Sequence, residues 1–163
     1  MYDPFGTEPD SEWFELHNTA SAARSLGGLV IADGAGRTHT IASSTTIAAG
    51  AYLVLVRSKT AATTAKIPNV ASTYEYGEGL PSNAGVQLAN GSTGALYLKN
   101  GGTVVAQADY GGWFSMSGGS SIELKSGSYS YAASQSSAGW CVAATAWTSG
   151  SDKGTPGAAS DCP

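Results

Sequence analysis

At 163 residues the chain is long enough for one self-sufficient core and short for two domains. Only 12% of the residues are charged, against 22 glycines, a mixture that suits short strands and frequent turns and fits poorly with helices, whose exposed faces fill with Glu, Lys and Arg. The formal charge of −4 comes from 12 acids and 8 scattered bases, with Arg57, Lys59 and Lys66 as the one loose cluster. That disfavours a nucleic-acid partner, and no apolar run approaches the ~18 residues of a membrane-spanning helix.

Taken in chain order, the residues from Pro4 to Asp10 are turn material. Asp3, Glu8, Asp10, Glu12 and Glu15 make an acidic opening free of bases. A hard-cation site such as Ca²⁺ is one reading of it. A solvated acidic edge is the other, because the spacing matches no EF-hand loop. The stretch Ser11–Asn18 alternates as a half-buried strand, with Phe14 and Leu16 on one face and Trp13, Glu15 and His17 on the other. It is expected to be central to one sheet and to end in a turn at Asn18-Thr19.

Leu26 to Asp33 reads as a strand stopped by Asp33-Gly34, with Thr38 to Ile41 returning beside it. Ala51 to Arg57 is apolar on both faces, which predicts the most deeply buried strand of the chain. Residues 58–70 are the least determined and fit one irregular helical turn. Val86-Gln87-Leu88, Ala95–Lys99 and Thr103–Tyr110, separated by Asn90-Gly91 and Asn100-Gly101-Gly102, predict a three-strand meander. Asn90-Gly91-Ser92 also fits a glycosylation sequon, but its place between strands favours the turn. After a flexible Ser117–Ser120 link, Ser121–Lys125 predicts a further strand with Ile122 and Leu124 inward. Beyond Ser126 no regular structure is expected. About eight short strands with regular turn signals give an all-β sandwich of two sheets.

Cys141 and Cys162 are the two cysteines, and one bridge is the simplest accounting. Two unrelated buried thiols are the alternative, disfavoured because Cys162 adjoins the terminal Pro163. A bridge would stabilise by about 3 kcal/mol on the chain-entropy model and implies an oxidising compartment. No secretory leader stands ahead of Met1-Tyr2-Asp3-Pro4, so either a leader has been left off or the start lies inside a longer protein.

Four features together resemble the lamin tail domain family. They are Met1–Pro4 ahead of Glu12–Asn18; Leu26–Asp33 followed by Ile47–Val54; the Gly85–Tyr110 region; and Trp147 with Gly154-Thr155-Pro156-Gly157. Leu29 departs from the aromatic usual in the family, and the chain starts without the apolar edge strand that usually precedes Met-Tyr-Asp-Pro. The resemblance implies an immunoglobulin-like β-sandwich over residues 1–163, with no shared catalytic residues and no cofactor. Bacterial relatives are typically secreted or cell-surface modules. Animal relatives sit at the nuclear lamina, a setting disfavoured here by the lack of coiled-coil heptads.

Catalytic chemistry is not legible. His17 and His39 are the only histidines. No Gly-x-Ser-x-Gly elbow accompanies them, which leaves a hydrolytic triad unsupported, and no partners stand at zinc-ligand spacing. Glu12 and Glu15 point to opposite faces of a strand, so they do not flank one glycosidic bond. Trp113, Phe114, Trp140 and Trp147, with Tyr129 and Tyr131, fall in the Gly/Ser-rich last third. Exposed, such rings would bind protein or sugar. Buried, they would roof the open end of the core.

The expected function is therefore a non-catalytic binding, adhesion or structural module of a bacterial exported or cell-surface protein. Trp113, Trp140 and Trp147 are its candidate contacts to a protein or surface-glycan partner, and Cys141–Cys162 its staple. A carbohydrate-binding accessory module is the first alternative and a hydrolase the second.

Overall fold

The computed structural model describes residues 1–114, 118–148 and 151–162. Ser117, expected in a flexible link, and Pro163 lie outside the described residues. The strands are β1 (Trp13–His17), β2 (Arg24–Ser25), β3 (Val30–Asp33), β4 (Thr38–Thr40), β5 (Thr46–Ile47), β6 (Tyr52–Val56), β7 (Tyr74–Glu75), β8 (Leu96–Asn100), β9 (Thr103–Ala108), β10 (Ile122–Leu124) and β11 (Trp140–Val142). Two short helices, α1 (Lys59–Thr64) and α2 (Tyr131–Ser134), interrupt them. One sheet runs β1-β6-β7 and the other β4-β3-β8-β9, with β2-β5 and β10-β11 as separate pairs.

The two larger sheets face one another across a single core. Phe14 and Leu55 from the first sheet meet Ile31 from the second, and Leu16, Leu53, Leu96 and Leu98 pack around them. Strand β6 is covered on both sides. Leu55 points into this core, while Val54 and Val56 join Met1, Trp13, Ala62 and Ile67 in a second cluster under α1. Ser58 starts α1 by accepting from the Ala61 N–H at 3.3 Å, an N-cap that satisfies one orphan donor of the first turn.

One expectation is corrected. β1 is the outer strand of its sheet and β6 the central one, because β6 pairs along one edge with β1 and along the other with β7. The outer edge of β1 is met at Trp13 by the backbone of Met1, N–H to carbonyl in both directions at 3.0 and 3.3 Å.

The expected meander is also corrected. β8 and β9 form a hairpin that turns through Gly101-Gly102, with Gly101 at φ 58°, but residues 86–88 are not a strand. Their backbone is held by side chains instead. Gln87 N–H donates to Asp33 Oδ2 at 3.0 Å and Leu88 N–H to Glu12 Oε2 at 2.8 Å. Arg57, 1% exposed, donates to the carbonyls of Val86, Pro81 and Ala84 at 2.8, 3.1 and 2.6 Å. Carboxylates and a guanidinium replace a neighbouring strand, satisfying backbone groups that burial would otherwise orphan. Arg57 is thus an internal strut, and the loose basic cluster it was grouped with is no surface patch.

The last third is more ordered than the sequence suggests. β10 and β11 pair antiparallel, Ile122 packs on the main core, and a disulfide joins Cys141 to Cys162 with Cα atoms 6.3 Å apart. Leu124 and Ile122 are half-buried, but Glu123 between them is buried, because the C-terminal tail covers what was expected to be an outward face. Residues 118–120 of the supposed link are pinned as well: Gly119 N–H donates to the Asp3 carbonyl at 2.6 Å, and the Gly119 carbonyl accepts from the Lys153 N–H at 2.8 Å.

Two stability outcomes follow from these contacts. Arg57→Met leaves the buried Val86 carbonyl and the part-buried carbonyls of Pro81 and Ala84 without their donor and should cost about 3 kcal/mol in urea unfolding, whereas Arg37→Met removes a half-exposed partner of Asp33 and should cost no more than about 1 kcal/mol; equal losses would refute the strut. Replacing both cysteines by serine should remove about 3 kcal/mol, read from the same unfolding curves.

Candidate functional site

Between β1 and β9, under the C-terminal cover, lies a cleft of about 380 Å³, a size typical of small-ligand sites. Its lining includes His17 and Tyr52 from the first sheet, Gln107 from the second, and Tyr129, Tyr131 and Trp140 from the cover. Cross-strand register sets the first two, since His17 lies opposite Tyr52; their rings stack at 4.2 Å and 7°. Tyr129 meets His17 edge-on at 4.8 Å. Tyr131 Oη donates to Gln107 Oε1 at 3.0 Å and Trp140 Nε1 to the Ser134 carbonyl at 3.1 Å, which holds α2 over β9.

Two carboxylates, Glu15 and Glu123, share this cleft. Glu15 Oε2 accepts from Gly157 N–H. Glu123 Oε1 accepts from the Thr155 N–H at 2.7 Å, the Thr155 hydroxyl at 3.1 Å and the Ser121 hydroxyl at 3.2 Å, while its Oε2 has no hydrogen-bond partner. Burial pushes the Glu15 carboxyl up to about 7, with the Gly157 N–H pulling down and Glu123 pushing up. Burial likewise raises Glu12 to about 8 against the pull of the Leu88 N–H. The Met1 amine goes down to about 5, burial outweighing the carboxylates around it.

The candidate residues read from the sequence do not gather in one place. Trp140 lines the cleft and touches Trp113 at 6.0 Å, and Trp113 leans on the main core. Trp147 belongs to the second cluster, edge-on to Trp13 at 5.9 Å, and donates to the Ala65 carbonyl at 3.2 Å. The three indoles are half-buried and form no common platform. His17 and His39 sit in different sheets, with His39 Nε2 at 2.7 Å from Tyr74 Oη and its pKa lowered by burial.

The acidic opening disperses in part. Glu8 meets Asn90 and stays beside Asp3, whereas Asp10 approaches Arg57 at 3.7 Å and Glu12 turns inward to Leu88. Among the described residues, Glu123 and Asp161 approach one another beside Cys162, but that sulfur is committed to the disulfide. Glu123 and Tyr52 are the cleft residues that sequence reasoning missed. An acid between two apolar strand positions reads as solvent-facing until the tail that covers it is known.

A pH test follows from Glu15. A carboxyl whose folded-state pKa exceeds its unfolded value contributes stability that is complete below the unfolded value and is lost as pH rises through the folded one. For Glu15 that loss falls between about 4.5 and 7, and for Glu12 it extends to about 8. The depressed Met1 amine has the opposite slope, so the clean observable is a difference between proteins. The stability of Glu15→Gln minus that of the parent should grow from pH 5 to pH 7.5, by on the order of 1 kcal/mol after discounting for partial exposure. A difference independent of pH would refute the assignment.

Residues 1–112 match the family model described as Lamin Tail Domain, a span that runs from β1 through β9 and so includes both larger sheets. Comparison with curated proteins gives no match. With that match covering more than half of its length, the chain belongs to the Lamin Tail Domain family, whose fold is an immunoglobulin-like all-β sandwich and whose members are generally non-catalytic.

Proposed function

We propose that this chain is a non-catalytic binding module of an exported bacterial protein, working at the cell surface or in the surrounding medium, and that residues 1–163 act as one unit. The observation that carries the reading is the aromatic cleft between β1 and β9, a concave, largely apolar site with a few polar groups inside it, which is the usual form of a ligand site. The Cys141–Cys162 bridge supports export, since such bonds persist in oxidising compartments. The single-unit reading is supported by contacts between the family-matched region and the rest, among them Phe5 N–H to Asp152 Oδ1 at 3.0 Å and Gly157 N–H to Glu15.

A surface glycan is the second reading of the partner. It is favoured by a ladder beside the cleft in which Tyr97 Oη donates to Asp109 at 2.7 Å, Gln107 Nε2 donates to Asp109 at 3.2 Å, and Tyr131 donates to Gln107. Planar polar groups beside accessible rings suit sugar hydroxyls and sugar faces.

Immobilised protein should retain a component of bacterial envelope extract, protein or glycan, and Trp140→Ala should abolish retention while His39→Gln leaves it unchanged. Retention of nothing by the folded parent, or equal retention by Trp140→Ala, would overturn the binding role at this cleft. Turnover that disappears in His17→Ala would overturn the non-catalytic one.

A further inference from the structure

The cleft holds an electrostatic imbalance that its neighbours do not resolve. Glu123 is only 8% exposed. Its Oε1 takes three donors, yet its Oε2, equally shut from water, takes none. Glu15 lines the same cleft. Among the described residues the ion pairs are Asp33–Arg37 and Asp10–Arg57, so no Lys or Arg neutralises either acid. The Met1 amine also lines the cleft, but burial lowers its pKa to about 5, and its hydrogen bond goes to the Trp13 carbonyl. A buried carboxylate oxygen without a donor is costly, and a native structure that keeps one calls for a functional or structural reason.

Resting on the binding-module reading above, we propose that this cleft binds a small organic ammonium ion, with Glu15 and Glu123 as countercharge and Tyr52, Tyr129 and Trp140 as aromatic walls. The chemistry of the lining selects that class. Two carboxylates repel anions. A hard metal cation needs six or more oxygen ligands, whereas most of this lining is aromatic or aliphatic, and the space is far larger than an ion. An alkylated ammonium matches both halves of the site: its charge answers the carboxylates, and its carbon substituents replace water against Tyr and Trp rings, whose quadrupoles attract cations.

The test is calorimetric titration of the full chain with choline, with n-butylamine, and with 3,3-dimethylbutan-1-ol, the uncharged isostere of choline. At least one ammonium ion should bind saturably, with the neutral isostere at least tenfold weaker. Glu15→Gln and Glu123→Gln should each weaken binding at least tenfold, and His39→Gln, in the other sheet, should leave it unchanged. Tighter binding of choline identifies the natural ligand as a quaternary ammonium, and tighter binding of butylamine as a primary amine, each within the proposed class. Should Glu123→Gln fail to fold for want of the Thr155 contacts, Glu15→Gln and Tyr52→Leu carry the comparison. No saturable ammonium binding, equal binding of the isostere, or indifference to the carboxylate substitutions would overturn the proposal. An envelope component still retained in that case would leave the binding role standing and remove only the ammonium assignment.

Discussion

The arrangement depends on a small set of buried charges that do the work of a missing strand. Arg57 leaves the end of β6 and reaches the carbonyls of Pro81, Ala84 and Val86. Glu12, one residue before β1, and Asp33, at the end of β3, take the N–H groups of Leu88 and Gln87. One segment is thereby tied to both sheets by three side chains. Desolvating these groups opposes folding, but the bonds to the Val86 carbonyl and the Leu88 N–H satisfy backbone groups that would otherwise be buried alone. Close approach completes the joint: at Gly77 any side chain would collide with the Arg57 carbonyl, so the chain passes Arg57 where a larger residue would displace it.

Around that joint the packing is layered. β6 serves two clusters at once, Leu55 toward the opposing sheet and Val54 and Val56 toward α1, so its apolar alternation is continuous where β1, with one charged face, breaks off. β1 has β6 on one side and on its other edge the backbone of Met1, at Trp13. The side of the sandwich between β1 and β9 is closed by residues after 117, which supply Ile122 to the core and leave the cleft beneath Tyr129, Tyr131 and Trp140. The site is thus a seam between the family-matched sandwich and its own C-terminal cover, and the Cys141–Cys162 bridge holds that cover together.

What the sequence discloses follows from the range of the forces involved. Alternation in Trp13–His17, continuous apolarity in Ala51–Arg57 and the Gly101-Gly102 turn are local, and each forecast its element. The rank of β1 within its sheet is not legible locally, because strand order depends on which segments pair along each edge. Residues 86–88 looked like a strand because Val86 and Leu88 alternate correctly. Nothing local reveals that their backbone partners are the side chains of Glu12 and Asp33, 76 and 54 positions away.

The cleft is harder to foresee for the same reason. Its aromatic content was visible, but the indoles at 113, 140 and 147 were read as one group because they share a stretch of sequence. In three dimensions Trp147 is drawn to Trp13 and the Ala65 carbonyl, and Trp113 to the main core, since each indole buries its rings against the apolar surface its own segment meets. Only Trp140, tied to Ser134 in the cover, stays at the seam. Glu123 completes the point. A charge flanked by Ile122 and Leu124 is cheap when solvated and expensive when covered, and the cover is the tail carrying Thr155. A covered acid with one oxygen satisfied and one not therefore marks where the domain's own hydrogen bonds end.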